Sequence, residues 1–213
     1  MSLNLKKFYK NKSVLVTGAT GFKGAWLCFW LNMLGARVSG IGFNPNQNKN
    51  LFYKLKLQNK INLKIMDIRN KKLLRNFIYK QKPSIIFHLA AQPLIYESYK
   101  KPHLTFDINF NGSLNITDIS INSKFIKSIV VVTSDKCYES NNSKVGFKEG
   151  DLLGGIDPYS SSKAVTEIMV RAYRKSFSKR LKTLGISTGR AGNVIGGGDW
   201  SHKRLIPDSI KSI

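Results

Sequence analysis

The feature that most constrains the fold is a glycine-rich turn, Thr17–Gly24, which lies between a short apolar run and an apolar helical pattern. Its glycines recur every third residue, at Gly18, Gly21 and Gly24. In such a turn, glycines permit a tight bend, a close approach of the backbone to a ligand, and close packing of a helix on a strand. The free amide groups at the helix start then face an anion. The sequence therefore predicts a pyrophosphate-binding turn.

Strand-like and helix-like segments alternate along the rest of the chain. Strands are predicted over Ser13–Val16, Arg37–Phe43, Asn62–Met66, Ser84–Leu89, Ser128–Thr133 and Thr183–Thr188. Helices are predicted over Gly24–Leu34, Lys71–Lys80, Leu104–Asn122 and Pro158–Phe177, with a loop and a short helix over Phe43–Lys60. This alternation favours an α/β fold with a doubly wound parallel sheet that is covered on both faces.

The composition fits an ordinary globular protein, since 42% of the 213 residues are hydrophobic. The most apolar run, Gly24–Leu34, is too short to span a bilayer and contains Asn32. The N-terminus lacks the apolar segment and cleavage site of a signal peptide, so we expect a cytoplasmic protein without membrane contact.

Cys28 and Cys137 have no metal-ligating spacing, and we expect free thiols and no metal site.

The formal net charge of +23 has two interpretations. One is an electrostatic funnel for polyanions, either nucleic acid or nucleotide pyrophosphates. The other is a compositional bias, because Lys, Asn and Ile are abundant along the whole chain. The basic residues are diffuse and the aromatic residues are not interleaved with them, so the bias is favoured and nucleic acid is not expected as a partner.

Tyr159 and Lys163 lie four residues apart on the first turns of a predicted helix, and therefore share one face. A nearby ammonium group favours the phenolate and lowers the pKa of the tyrosine towards neutrality. Such a base can accept a hydroxyl proton while hydride leaves the same carbon. The alternative is an ordinary helix start with Asp157 as N-cap and Pro158 at the first helical position. The position downstream of the glycine-rich turn favours the catalytic interpretation.

Polar side chains follow the apolar strands where a parallel sheet binds ligands. Ser134, Asp135 and Lys136 come directly after Ser128–Thr133, although a solvated turn would show the same pattern. His88, on an apolar strand, is interpreted as a hydrogen-bonded core histidine rather than a catalyst. Asn109 has an equally plain interpretation as a buried structural amide.

Six stretches together resemble the CDP-glucose 4,6-dehydratases, a branch of the extended short-chain dehydrogenases/reductases and of the NAD-dependent epimerase/dehydratase family. The stretches are Val16–Gly24, His88–Leu94, Val132–Tyr138, Gly154–Lys163, Arg190–Trp200 and Arg204–Asp208. The resemblance implies a Rossmann-like NAD-binding domain over residues 1–190 and the start of a sugar-nucleotide-binding lobe over 191–213. Family members continue beyond residue 213, so we expect that lobe to be largely missing and apolar surface to be exposed.

The resemblance also implies a reaction. CDP-glucose would be oxidised at C4 with NAD, lose water across C5–C6, and regain the hydride at C6, giving CDP-4-dehydro-6-deoxyglucose for deoxysugar and O-antigen biosynthesis. Tyr159 would be the base for the C4 hydroxyl, assisted by Lys163, and Ser134 would bind the C4 oxygen. Asp135 would protonate the departing hydroxyl. Lys136 stands where other sugar-nucleotide 4,6-dehydratases carry the glutamate that removes the C5 proton.

Binding residues follow from the same resemblance. NAD would contact Gly18, Thr20, Gly21, Phe22, Lys23, Gly24, Asp67, Ile68, Leu89, Ala90, Ala91, Asn109, Tyr159 and Lys163. The sugar nucleotide would contact Gln92, Ser134, Asn193 and Arg204. NADP stays open as cofactor, because the second strand lacks the acidic residue that commonly holds the adenosine ribose. A homodimer is expected through the helices Leu104–Asn122 and Pro158–Phe177.

Two other functions stay open. The first is a sugar-nucleotide epimerase, or a dehydratase for another nucleotide, although the Asp135–Lys136 pair argues against an epimerase. The second is an inactive module that binds NAD or nucleic acid. The short length of the chain and its high charge are the reasons to consider it. Retention of every candidate catalytic position argues against that module.

Overall fold

The computed structural model describes residues 2–43, 50–139, 145–201 and 203–212. A six-stranded sheet forms the centre, and all of its pairings are parallel. The strands are β1 (Ser13–Thr17), β2 (Arg37–Gly42), β3 (Asn62–Ile65), β4 (Ile85–His88), β5 (Ser128–Val132) and β6 (Gly185–Gly189). Their order is β3-β2-β1-β4-β5-β6, so the direction of winding reverses between β1 and β4. Ligands bind at such a switch point, outside the carboxyl ends of the strands.

The helices cover both faces of the sheet. They are α1 (Ser2–Tyr9), α2 (Phe22–Met33), α3 (Leu51–Lys54), α4 (Lys71–Gln81), α5 (Ile95–Lys100), α6 (Pro102–Phe106), α7 (Gly112–Ile121), α8 (Pro158–Ser176), α9 (Ser178–Leu181) and α10 (Leu205–Lys211). Short 3₁₀ turns cover Leu57–Asn59 and Asp135–Cys137. The predicted α/β class and doubly wound parallel sheet are confirmed.

Alternate residues of β1 pack into two separate hydrophobic cores, because successive side chains of a strand point to opposite faces of the sheet. Val14 and Val16 pack with Cys28 and Phe52 on the face covered by α2 and α3. Leu15 packs into the second core, which α4, α7 and α8 cover. Both cysteines are buried and free. Within the described ranges, no helix is long and apolar enough to cross a membrane.

Several predicted boundaries were wrong. The helix expected over Leu104–Asn122 is interrupted by a π-helical turn, Asp107–Asn111, between α6 and α7. Such turns are rare and occur where a side chain must be re-aimed, and this one carries the buried Asn109. The helix expected from Gly24 begins at Phe22, because Gly21 is already an extended N-cap. Helices α1, α5 and α9 were not predicted, since all three are short.

The predicted loop Phe43–Lys60 contains α3 and a 3₁₀ turn in its described part, while residues 44–49 lie outside the described residues. The last strand is shifted to Gly185–Gly189 from the predicted Thr183–Thr188.

Candidate functional site

A cleft of about 1170 Å³ opens at the carboxyl ends of the strands. The glycine-rich turn lines it, together with residues of 191–201 and 203–210. The ends of β3, β4 and β5 and the start of α8 line it as well. The cleft therefore joins the predicted phosphate-binding turn to the polar strand ends.

The backbone of the glycine-rich turn has the close contacts that its sequence predicts. Gly18 has a positive φ of 71°, and a Cβ atom there would lie 2.8 Å from the Ala90 nitrogen. A Cβ atom at Gly24 would lie 2.0 Å from the Gly18 oxygen, which no real side chain tolerates. The turn is thus closed by backbone packing, and the start of α2 faces the open cleft. This cradle fits the pyrophosphate of a dinucleotide.

The end of β3 lines the far part of the cleft through Asp67 and Ile68. Arg69 binds the Asp67 carboxylate at 2.6 Å and Asp107 at 2.8 Å. The hydrogen bonds from Arg69 hold the pKa of Asp67 below its usual value. Arg69 is therefore occupied by two carboxylates.

His88 is a buried core histidine, as expected. Its Nδ1 lies 2.6 Å from the Thr17 hydroxyl and its Nε2 lies 3.0 Å from the Ser113 hydroxyl. Burial, with a contribution from Lys163, lowers the pKa of His88 to about 3, so the ring is neutral at physiological pH. Thr17 in turn accepts a hydrogen bond from the Ala90 nitrogen, which lies against the glycine-rich turn.

Gln92 and Asn109 were predicted to contact ligands, but both side chains are used within the protein. The Asn109 amide accepts from the Gln92 nitrogen at 2.8 Å and donates to the Ser162 hydroxyl at 2.9 Å. The Gln92 amide donates to the Thr105 hydroxyl at 2.9 Å and accepts from the Leu94 nitrogen at 2.6 Å. Neither residue lines the cleft. Their amides instead fix the loop that follows β4.

Ser134, Lys136 and Tyr159 line the cleft together. The Ser134 hydroxyl accepts from the Lys136 nitrogen at 3.2 Å and donates to the Asp135 carboxylate at 3.0 Å. Asp157 is the N-cap of α8, as predicted, because its side chain accepts from the Ser160 nitrogen. The capped helix start brings Tyr159 to the polar end of β5.

The expected effect of Lys163 on Tyr159 is not found. Burial raises the pKa of Tyr159, and hydrogen bonding to Ser134 and the charge of Arg204 only partly oppose the rise. Lys163 is itself buried, and its ammonium donates to the Val132 carbonyl at 3.2 Å. Burial and the charge of Lys23 lower the pKa of Lys163 to about 8. Desolvation therefore dominates both groups.

Asn193 and Arg204, which were predicted to contact the sugar nucleotide, also line the cleft. Arg204 lies 3.8 Å from the buried Asp199 carboxylate. Desolvation and the charge of Arg204 lower the pKa of Lys23. The cleft therefore gathers cationic groups from the glycine-rich turn and from the segment after β6, an arrangement suited to an anionic ligand.

Some residues around the cleft were missed by sequence reasoning. The Trp26 indole donates to the Gly197 carbonyl at 2.9 Å, which ties the glycine loop after β6 to α2. The Lys203 ammonium lies 3.2 Å from the centre of the Tyr96 ring. Glu167 forms a buried ion pair, and its position four residues after Lys163 is a signal that could have found it.

Comparisons with known proteins agree with this architecture. The family model described as GDP-mannose 4,6 dehydratase matches residues 15–197. The CDP-glucose 4,6-dehydratase of Salmonella typhimurium is 42% identical over 211 residues, which cover 97% of this chain and 59% of that protein. The chain thus spans about three fifths of that relative's length.

Two solved structures show the same fold at low sequence identity. An epimerase from Methanothermobacter thermautotrophicus matches with a TM-score of 0.84 and 24% identity, covering 98% of this chain and 60% of its own. The dTDP-glucose 4,6-dehydratase DesIV of Streptomyces venezuelae, solved with NAD and TYD bound, matches with a TM-score of 0.78 and 23% identity, covering 93% of this chain and 61% of its own. Since the family model extends from β1 through the glycine loop after β6, this chain belongs to the GDP-mannose 4,6 dehydratase family of nucleotide-sugar enzymes.

Proposed function

We propose that this chain carries the NAD-binding and catalytic part of a nucleotide-sugar 4,6-dehydratase whose substrate is CDP-glucose. The observation that carries the proposal is the meeting of Ser134, Lys136 and Tyr159 in the same cleft as the glycine-rich turn. The 42% identity to the Salmonella typhimurium enzyme supports CDP-glucose over other sugar nucleotides. Because the chain spans 59% of that relative, activity and substrate are properties to be tested on this chain itself.

The residues present fit NAD. The turn around Gly18 and Gly24 would hold the pyrophosphate, and Lys163 would lie by the nicotinamide ribose. Among the residues described at the adenosine end, Arg69 is bound to two carboxylates and Asp67 adds a negative charge. A 2′-phosphate would be repelled there, which favours NAD over NADP. When bound, NAD supplies the acceptor and later the donor of a hydride.

The side chains after β5 and at the start of α8 would then move protons at three positions of the sugar. Tyr159 would accept the proton of the C4 hydroxyl, while Ser134 would donate a hydrogen bond to the C4 oxygen. Lys136 would accept the C5 proton, which the C4 ketone acidifies, and would return a proton to C5 when C6 regains the hydride. Asp135 would deliver a proton to the 6-hydroxyl, which leaves as water. The Asp135–Lys136 pair would thus supply the acid and base that elimination needs and epimerisation does not.

The test is to incubate the chain with NAD and CDP-glucose and to follow the alkali-induced ultraviolet absorbance of a 4-keto-6-deoxy sugar. Product that is lost in Tyr159→Phe would support the proposal. UDP-glucose and GDP-mannose serve as matched substrates, and a preference for either would overturn the choice of CDP-glucose. NAD binding by calorimetry without product would mean that this chain is a cofactor-binding unit without complete catalysis.

A further inference from the structure

A buried carboxylate outside the cleft joins the elements that carry the candidate catalytic side chains. Glu167 lies on α8, one turn after Lys163, and is 4% exposed. One of its oxygens accepts from the Arg190 guanidinium at 2.9 Å and from the Thr188 hydroxyl at 2.9 Å. The other accepts a short hydrogen bond from the Thr133 hydroxyl. Glu167 therefore links α8 to the ends of both β5 and β6.

Arg190 extends this link to the chain between the 3₁₀ turn and α8. Its second guanidinium nitrogen donates to the Glu149 carbonyl at 3.0 Å. Its planar group lies 4.8 Å from the centre of the Tyr138 ring, and that ring stacks on Phe147 at 4.6 Å with an interplanar angle of 4°. The Tyr138 backbone also pairs with Leu153 in an antiparallel bridge. Arg190 thus contacts this part of the chain at both Tyr138 and Glu149.

The Glu167–Arg190 pair differs from the surface ion pairs. Its side chains are 4% and 16% exposed, the lowest pair of values among the salt bridges of the described residues. Exposed pairs are screened and contribute little to structure. Removing one partner of a buried pair leaves an uncompensated charge, so this geometry is strongly held. Neither residue lines the cleft, and a ligand-binding role does not explain the pair.

We propose that Glu167 and Arg190 are positioning residues that hold the end of β5 in a fixed relation to α8. Thr133 directly precedes Ser134 and Asp135, and Glu167 lies on the same helix as Tyr159, about two turns further along α8. The pair therefore sets the separation between Tyr159 on α8 and the side chains of Ser134, Asp135 and Lys136 after β5. This role rests on the proposed dehydratase function, but the order that the pair imposes can be measured without it.

The first measurement is hydrogen–deuterium exchange on Glu167→Gln and Arg190→Gln. Backbone amides over 133–138 and 145–153 should exchange faster by about tenfold, because a charged hydrogen bond is lost at the junction. The exchange rates of the β1 and β2 amides, and the affinity for NAD, should stay within about twofold of the parent values. A change of that size is well below the tenfold acceleration expected over 133–138 and 145–153. Asp118→Asn is the matched control. It removes the negative charge of Asp118, which forms an ion pair with Lys71 at 2.7 Å on the surface of the protein.

The double variant Glu167→Gln/Arg190→Gln separates positioning from stability. It removes both charges and should recover the melting temperature that either single variant loses, because no unpaired charge remains. The fast exchange over 133–138 should persist. If the parent forms product, the kcat of the double variant should be about 100-fold below that of the parent, and its KM should be unchanged. This is the effect expected when a catalytic group is displaced.

The outcomes distinguish the two proposals. Unchanged exchange over 133–138 in Glu167→Gln, or equal acceleration across the whole sheet, would refute the positioning role. Recovery of kcat in the double variant would refute it as well. A parent chain that binds NAD but forms no 4-keto product would refute the dehydratase function for this chain, while the exchange pattern would still decide the positioning role.

Discussion

Replacing Lys163 by methionine should stabilise the fold near neutral pH, although it removes a proposed catalytic group. Methionine keeps the length of the buried stem and removes the charge. Burial and Lys23 lower the pKa of Lys163 from 10.5 to about 8. The unfolded chain therefore holds this proton more tightly than the folded chain, and the folded state is penalised wherever the unfolded lysine is charged.

The size of the penalty follows from linkage. Each pKa unit corresponds to about 1.4 kcal/mol, so the penalty is about 3 kcal/mol at pH 7. It decreases as the pH rises from about 8 and is about 1 kcal/mol at pH 10. The variant also loses the hydrogen bond to the Val132 carbonyl, at a cost of about 1 kcal/mol. We expect Lys163→Met to be about 2 kcal/mol more stable at pH 7 and roughly equal to the parent at pH 10.

The assay is urea unfolding, followed by tryptophan fluorescence, at several values of pH between 6 and 10. The difference between variant and parent removes the contribution of the titrating groups that do not interact with Lys163. Lys175→Met, an exposed substitution on the same helix, is the control and should show no such pH dependence. A difference that does not change with pH, or a variant less stable than the parent at pH 7, would refute the reasoning.

Other substitutions test the rest of the site. Gly24→Ala should weaken NAD binding by at least about tenfold in calorimetry, since the new Cβ would displace the Gly18 carbonyl; unchanged affinity would contradict the proposed cradle. Trp26→Phe should free the Gly197 carbonyl at a cost of about 1 kcal/mol in chemical unfolding, and exchange of the loop amides should rise. Asp157→Ala should lower stability by about 1 kcal/mol through loss of the N-cap, whereas Asp157→Asn should largely restore it. Light scattering tests the expected homodimer, which a monomer at micromolar concentration would refute.

The fold was predictable because its signals are local. The apolar strands and the glycine-rich turn depend on residues that are neighbours in the sequence, and all six strands were found in order. The π-helical turn at Asp107–Asn111 was not predictable, since it depends on a hydrogen bond from Asn109 to Ser162, 53 residues away. Short helices such as α5 have too few residues for a periodic pattern.

Ser134, Lys136 and Tyr159 line the cleft as a group, whereas Gln92 and Asn109 do not, and the electrostatics of the cleft differ from the expectation. The spacing of Tyr159 and Lys163 places them on one helix face, and the structure confirms the helix. The spacing says nothing of how deeply each group is buried, and burial reverses the expected direction of the Tyr159 pKa. Gln92 illustrates the same limit, because a polar residue after a strand can as readily fix a loop as face a ligand.

The cationic groups of the cleft connect stability with the proposed function. Burial and the charge of Arg204 lower the pKa of Lys23, and burial and the charge of Lys23 lower the pKa of Lys163. This arrangement destabilises the folded state and not the unfolded chain, as is common at functional sites. A bound pyrophosphate would offset the repulsion, because opposite charge favours the protonated lysines. The affinity for an anionic nucleotide and the destabilising repulsion among these cationic groups therefore have the same physical origin.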